Sequence, residues 1–320
     1  MIVGRTINYN RLRNPVAAHR ARATDPLRAL IAQLFGNGEQ GAMYIPQPTV
    51  LGQQVLWQDA AGTVPVVADG DPVGLMLDVG QKLELGPELI TNGTLDEDLS
   101  GWVNATGYWQ WVAGRAYHPQ GSDYKELSQA FTPTNKSVVV EFDVDVISGS
   151  NTAQWFYVNA AGGAITGTTN SALRMPGGKS RVTRVIHDGI QKIGFARVPP
   201  SAAAEFYLDN ISVRELPGNH ATQTTSAARR LYKTNGSQSW LLDDLVDDGL
   251  VVTLPDLGTN ATLAYADGSG VTILTGQTIS GDTQLPTTAE TYGVIYLDRP
   301  FTASEATQVT DHLNKLRGAA

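Results

Sequence analysis

Residues 137–146, SVVVEFDVDV, decide the fold class of this chain. Val138, Val140, Phe142, Val144 and Val146 fall on one face, and Val139, Glu141, Asp143 and Asp145 on the other. That period of two is the pattern of a half-buried antiparallel strand. Working outward, strand-like runs recur at Tyr108–Val112, Gln154–Asn159, Arg181–Ile186, Lys192–Arg197 and Glu205–Val213, with Gly-rich and polar turns between them. From about Leu85 to Leu216 the pattern predicts an antiparallel two-sheet sandwich.

Composition agrees. Of 320 residues, 17% are charged, with 33 Gly and 16 Pro, the balance of a mainly β, turn-rich protein. No apolar run is long enough to cross a bilayer, so membrane insertion is not expected. The N-terminus lacks the charged-then-apolar order of a signal peptide; any release from the cell is expected by lysis. The absence of cysteine excludes disulfides, thiolate zinc sites and cysteine nucleophiles. His19, His118, His187, His220 and His312 show no metal-ligand spacing. The net charge of −8 hides a basic arm, in which Arg5, Arg11, Arg13, Arg20, Arg22 and Arg28 stand against Asp25 alone. Such an arm suits docking on an acidic protein surface; with Tyr9 its only aromatic residue, it does not suit base stacking on nucleic acid.

A short helix follows the arm. Thr24 or Asp25 can cap it, Pro26 fits its first turn and Gly36 its end. Leu27, Leu30, Ile31 and Leu34 form one apolar stripe, which suits either an anchor against a partner or packing on the chain's own β domain. Residues 36–84 are turn-rich, with short apolar pieces that must be ordered by lying on something else; they read as a docking segment. Residues 217–320 read as a small β domain ending in a helix. There Thr302 and Glu305 have capping-box spacing, Ala306, Val309, Leu313 and Leu316 share a face, and Lys315 and Arg317 complement the C-terminal dipole. The domains expected are therefore 1–35, 36–84, 85–216 and 217–320.

No Gly-x-Ser-x-Gly elbow, phosphate-binding Gly loop or His-Glu-x-x-His is present. The adjacent acids Asp243-Asp244 and Asp247-Asp248 read as solvated or structural, not as a glycosidase pair. No catalytic residue and no enzymatic activity is expected. Binding potential lies in aromatic residues concentrated between Trp102 and Tyr157. Ring faces accept the C–H faces of sugars while neighbouring amides and acids serve the hydroxyls. Trp109, Trp111, Tyr124, Trp155 and Tyr157 are the glycan-contact candidates; the alternative is that most of these rings fill the sandwich, Trp102 above all.

Three resemblances extend this reading. Asn37-Gly38-Glu39-Gln40-Gly41-Ala42, followed by Gln58-Asp59-Ala60-Ala61-Gly62 and Asp69-Gly70-Asp71-Pro72-Val73-Gly74, resembles a segment of structural proteins of tailed bacteriophages and prophages. Asn92-Gly93 with Gly101-Trp102, and Phe206-Tyr207-Leu208-Asp209-Asn210-Ile211-Ser212-Val213, resemble the first and last strands of carbohydrate-binding-module jelly rolls. That resemblance implies a structural calcium ion held by Asp96 and Asp209. Leu241–Gly249 and Ile295–Glu305 resemble the first strand and the closing strand-to-helix segment of concanavalin-like domains, here reduced in length and without the usual sugar site. Together they imply a non-enzymatic virion protein of fibre, spike, collar or decoration type. It would be docked through its N-terminal region, assembled as a homo-oligomer with other virion proteins, and able to meet host surface polysaccharide. The alternatives are a dedicated lectin or receptor-binding protein and, behind it, a depolymerase.

Overall fold

The computed structural model describes residues 25–81, 83, 85–104, 107–121, 125–134, 137–149, 153–159, 164–165, 175–187, 189–197 and 203–319. After helix α1 (Pro26–Phe35) come five short strands: β1 (Gly41–Tyr44), β2 (Thr49–Val50), β3 (Gln53–Gln54), β4 (Leu56–Trp57) and β5 (Leu75–Met76). The central region supplies β6 (Gln110–Trp111), β7 (Ala116–Gly121), β8 (Leu127–Ala130), β9 (Ser137–Ser148), β10 (Ala153–Asn159), β11 (Ala164–Ile165), β12 (Gly178–His187), β13 (Ile190–Arg197) and β14 (Ala204–Glu215). The C-terminal part adds β15 (Ala221–Thr222), β16 (Leu231–Thr234), β17 (Ser239–Leu242), β18 (Val251–Leu254), β19 (Ala261–Asp267), β20 (Val271–Gln277), β21 (Gly281–Gln284), β22 (Glu290–Leu297) and helix α2 (Ala303–Leu316).

The central strands form the expected sandwich. One sheet runs β12-β9-β14-β7-β6, the other β11-β10-β13-β8, and every pairing is antiparallel. The apolar face of β9 is the core face: Val138, Val140, Phe142, Val144 and Val146 are all buried. Phe142 bridges the sheets edge-on, 5.6 Å from the Trp155 ring and 5.1 Å from the Phe195 ring. Edge-to-face packing of this kind adds to the area the rings bury.

The remaining strands correct the expected domain plan. Residues 36–84 are not a separate docking segment. β1 pairs with β22 in the register Gly41↔Leu297 to Tyr44↔Val294, and β5 pairs with β15, Met76 opposite Ala221. One sheet of this second sandwich runs β16-β17-β22-β19-β20 with β1 also beside β22; the other runs β21-β18-β15-β5-β4. The strands that a 217–320 domain would lack are thus contributed by the N-terminal segment, and the 85–216 sandwich is inserted between the two halves of one core. Only glycine fits the entry. A Cβ on Gly41 would lie 2.0 Å from the Tyr296 carbonyl oxygen.

Helix α1 is capped by Asp25, whose carboxylate accepts from the Leu27 amide at 2.9 Å. Its stripe is occupied within the chain. Leu30, Ile31 and Leu34 are buried in the same core as Val309 and Leu313 of α2, with Leu27 packed at its margin. Leu30, Ile31 and Leu34 therefore do not present a docking face, and Leu27 is half-buried beside them; burial of this stripe is what holds α1. The five arginines expected to dock, Arg5, Arg11, Arg13, Arg20 and Arg22, lie outside the described residues. At α2 the capping box forms as expected, Glu305 accepting from the Thr302 amide at 2.7 Å. Arg299 forks onto Glu305 at 2.9 Å through both terminal nitrogens.

The junction of the two sandwiches is polar and buried. Asp78, 0% exposed, accepts from the amides of Met43 and Gly80 at 2.8 Å and of Asn219 at 3.0 Å. Its own amide donates to His220 Nδ1 at 3.0 Å. The Asn219 side chain donates to the Gly41 carbonyl at 2.8 Å, and the Tyr44 hydroxyl donates to the Asn219 carbonyl. Burial pushes the Asp78 carboxyl up to about 7, against the three amides that favour its charged form. A carboxyl raised in the folded state favours folding below the unfolded carboxylate range, and that contribution is lost as pH rises through about 7. Asp78→Asn also turns an acceptor into a donor facing an amide, which costs ~1–3 kcal/mol. Urea unfolding should show this deficit at pH 5 and a narrower gap between the two proteins at pH 8. A gap independent of pH would contradict this account of the junction.

Candidate binding face

The polar side of β9 builds the candidate site. Register sets Asp145 between Lys179 of β12 and Tyr207 of β14, and Tyr207 opposite Tyr117 of β7. One side-chain row therefore crosses four strands: Lys179, Asp145, Tyr207, Tyr117. Two residues along, Arg181, Asp143 and Asp209 form the next row. Asp143 accepts from Arg181 at 2.9 Å and from the Asn210 amide group at 2.9 Å. Asp145 lies 3.7 Å from Arg115 and 3.9 Å from Lys179.

Tyr117 and Tyr207 stack at 4.6 Å with planes 25° apart, and the Arg115 guanidinium sits 4.1 Å from the Tyr207 centroid. The Tyr207 ring is thus engaged by both groups. Its edge and hydroxyl remain for a ligand. The Tyr117 hydroxyl donates to Glu205 at 2.8 Å, and that bond pushes its pKa up to about 12. Burial, followed by the charges of Asp143 and Asp96, raises the Asp209 carboxyl.

Between the rows lies an open trough of about 380 Å³, lined by Arg115, Asp143, Asp145, Lys179, Tyr207 and Asp209 among others. Half-exposed ion pairs add little stability. What the rows supply is a dense array of oriented donors and acceptors on a rigid sheet.

The sequence-derived aromatic candidates do not converge there. Trp109 and Trp155 are each 2% exposed. The Trp109 indole donates to the Lys125 carbonyl at 3.1 Å and packs edge-on to His118 and Phe206; Trp155 packs on Phe142. Trp111 is 42% exposed and donates to the Leu95 carbonyl at 2.7 Å. Two apart in a strand-like run, Trp109 and Trp111 would share a face, but β6 begins only at Gln110, and one ring is buried while the other is exposed. Tyr124 lies outside the described residues, and Tyr157 is described only as backbone within β10. The residues sequence reasoning missed are Tyr117, Tyr207, Arg115, Lys179 and Arg181. Their signal was their place on the same face as Glu141, Asp143 and Asp145.

For the implied calcium, Asp96 lies close enough to act electrostatically on Asp209. Among the described residues, however, the group of three acids with mutually close oxygens is Asp243, Asp244 and Asp248. Loop geometry accounts for it: Asp243 accepts from the Leu245 amide at 2.7 Å, Asp244 from Val246 at 2.9 Å and Asp248 from Asp244 at 3.0 Å. Asp243 also pairs with the buried Arg230 at 2.9 Å.

No protein-family model matches the chain, and no curated protein sequence matches it. Solved structures with some similarity include a mutant family 29 carbohydrate-binding module, at 12% identity and a TM-score of 0.31, covering 41% of this chain and 91% of that one. The tandem family 22 modules of Paenibacillus barcinonensis Xyn10C give 12% identity and a TM-score of 0.35, covering 72% and 94%. Tandem family 51 modules of a Streptococcus pneumoniae family 98 glycoside hydrolase give 11% and 0.23, covering 70% and 90%. At these scores the comparison carries no functional argument.

The division between core and surface rings is testable by denaturation. Trp155→Ala should cost ~3–5 kcal/mol, whereas Trp111→Ala should cost no more than ~1 kcal/mol. Equal losses would contradict the assignment.

Proposed function

We propose that this chain is a non-enzymatic, glycan-binding component of a tailed-bacteriophage particle, with the outer face of the β12-β9-β14-β7-β6 sheet as its binding surface. The observation that carries the binding reading is the trough. Carboxylates, guanidinium and ammonium groups and a tyrosine hydroxyl stand in two register rows, and a hydroxyl-rich chain laid across the strands meets a donor or acceptor at each step. Because the Tyr207 ring is already engaged by Tyr117 and Arg115, recognition rests on hydrogen bonds more than on ring stacking. The carboxylates lie side by side on one sheet face, whereas glycoside hydrolysis needs two across a scissile bond.

The particle reading is supported by the sequence resemblance of residues 37–74. Since that segment is folded into the second sandwich, attachment to other virion proteins falls to the basic arm.

Titration calorimetry of the full chain against host surface polysaccharides tests the first part. Tyr207→Ala and Asp145→Ala should each weaken binding about tenfold, the loss of one or two hydrogen bonds to charged or oriented groups. Absence of binding, or binding indifferent to both changes, would sink it. For the second part, removing residues 1–24 should abolish incorporation into particles while leaving glycan binding intact; undiminished incorporation would show that attachment lies elsewhere.

A further inference from the structure

We infer that two copies of this chain associate edge to edge through β20, extending the sheet that contains β22 across a twofold axis. β20 ends that sheet; among the described residues its strand neighbour is β19 alone. The opposite side of such a strand presents a row of amides and carbonyls able to template another strand. Proteins blunt these edges with charges, prolines or bulges. This chain does so elsewhere. The edge strand β12 carries Lys179, Arg181 and Arg184.

No charged residue and no proline occurs in residues 268–281, and Asp282 is the one charge between Asp267 and Glu290. A register shift sets Thr275 and Gly276 opposite Thr262, with Gly276 at φ +67°. That bulge ends the flat run and leaves Val271–Leu274 as the pairing segment. Leu274 is 40% exposed on it.

A second copy is the partner that fits. The chain carries a net charge of −8, so like copies repel over most of their surface and approach most easily along a neutral side. A charged partner would find no complement here. A twofold axis perpendicular to the sheet requires residues of equal parity to face each other, so it passes through Thr272 or Ile273. Isologous closure then leaves no growing edge.

Sedimentation equilibrium of the full chain should show a reversible dimer in the micromolar range. Leu274→Lys, an exposed change that supplies the missing guard, should weaken association about tenfold, with an unaltered thermal midpoint at concentrations where the chain is monomeric. As a readout independent of any variant, those amides of 271–274 that point away from β19 should exchange about tenfold more slowly at high than at low protein concentration. A monomer at all concentrations would overturn the inference. So would a dimer indifferent to Leu274→Lys, or exchange at 271–274 indifferent to concentration.

Discussion

Everything in this architecture depends on the N-terminal segment being held to the C-terminal sandwich. Residues 41–80 contain no strand longer than four residues, and such pieces are not stable alone. They are fixed by the pairing of β1 with β22 and of β5 with β15, both made far away in the chain, and by the buried carboxylate of Asp78. That one side chain collects amides from Met43, Gly80 and Asn219, so it locks the way into the inserted sandwich to the way out. An unpaired carboxylate there would be expensive to bury; fully bonded, it specifies one junction. The stability of the inserted sandwich and that of its host are then coupled, though each has its own core.

The inserted sandwich separates two tasks by strand parity. On β9 the inward residues hold Trp155 and Phe195, and the outward residues Glu141, Asp143 and Asp145 organise cations from β12 and tyrosines from β14 and β7. Because the sheet is rigid, the spacing of the polar rows is set by strand spacing and rise, which suits recognition of an extended polymer.

How legible was this in the sequence? The alternation in Ser137–Val146 and the Thr302–Glu305 capping box were read correctly because each is local, and the helix cap was narrowed to Thr24 or Asp25, of which the structure uses Asp25. The discontinuous second domain was not, since two-residue strands such as Leu75–Met76 leave no periodicity and their pairing with Ala221–Thr222 spans the whole insertion. The binding face was half legible. The acid row was visible, but attention to large rings favoured Trp109 and Trp155, whose size made them core. Tyr117 and Tyr207, smaller and placed among polar neighbours, became visible only once register set them opposite each other.

The most direct test of the central claim is backbone amide chemical-shift mapping on the full chain during addition of a bound polysaccharide. The account predicts perturbations clustered at residues 115–117, 143–145, 179–181 and 207–209. Perturbations centred on Trp111, on the four-stranded sheet or on the second sandwich would contradict it.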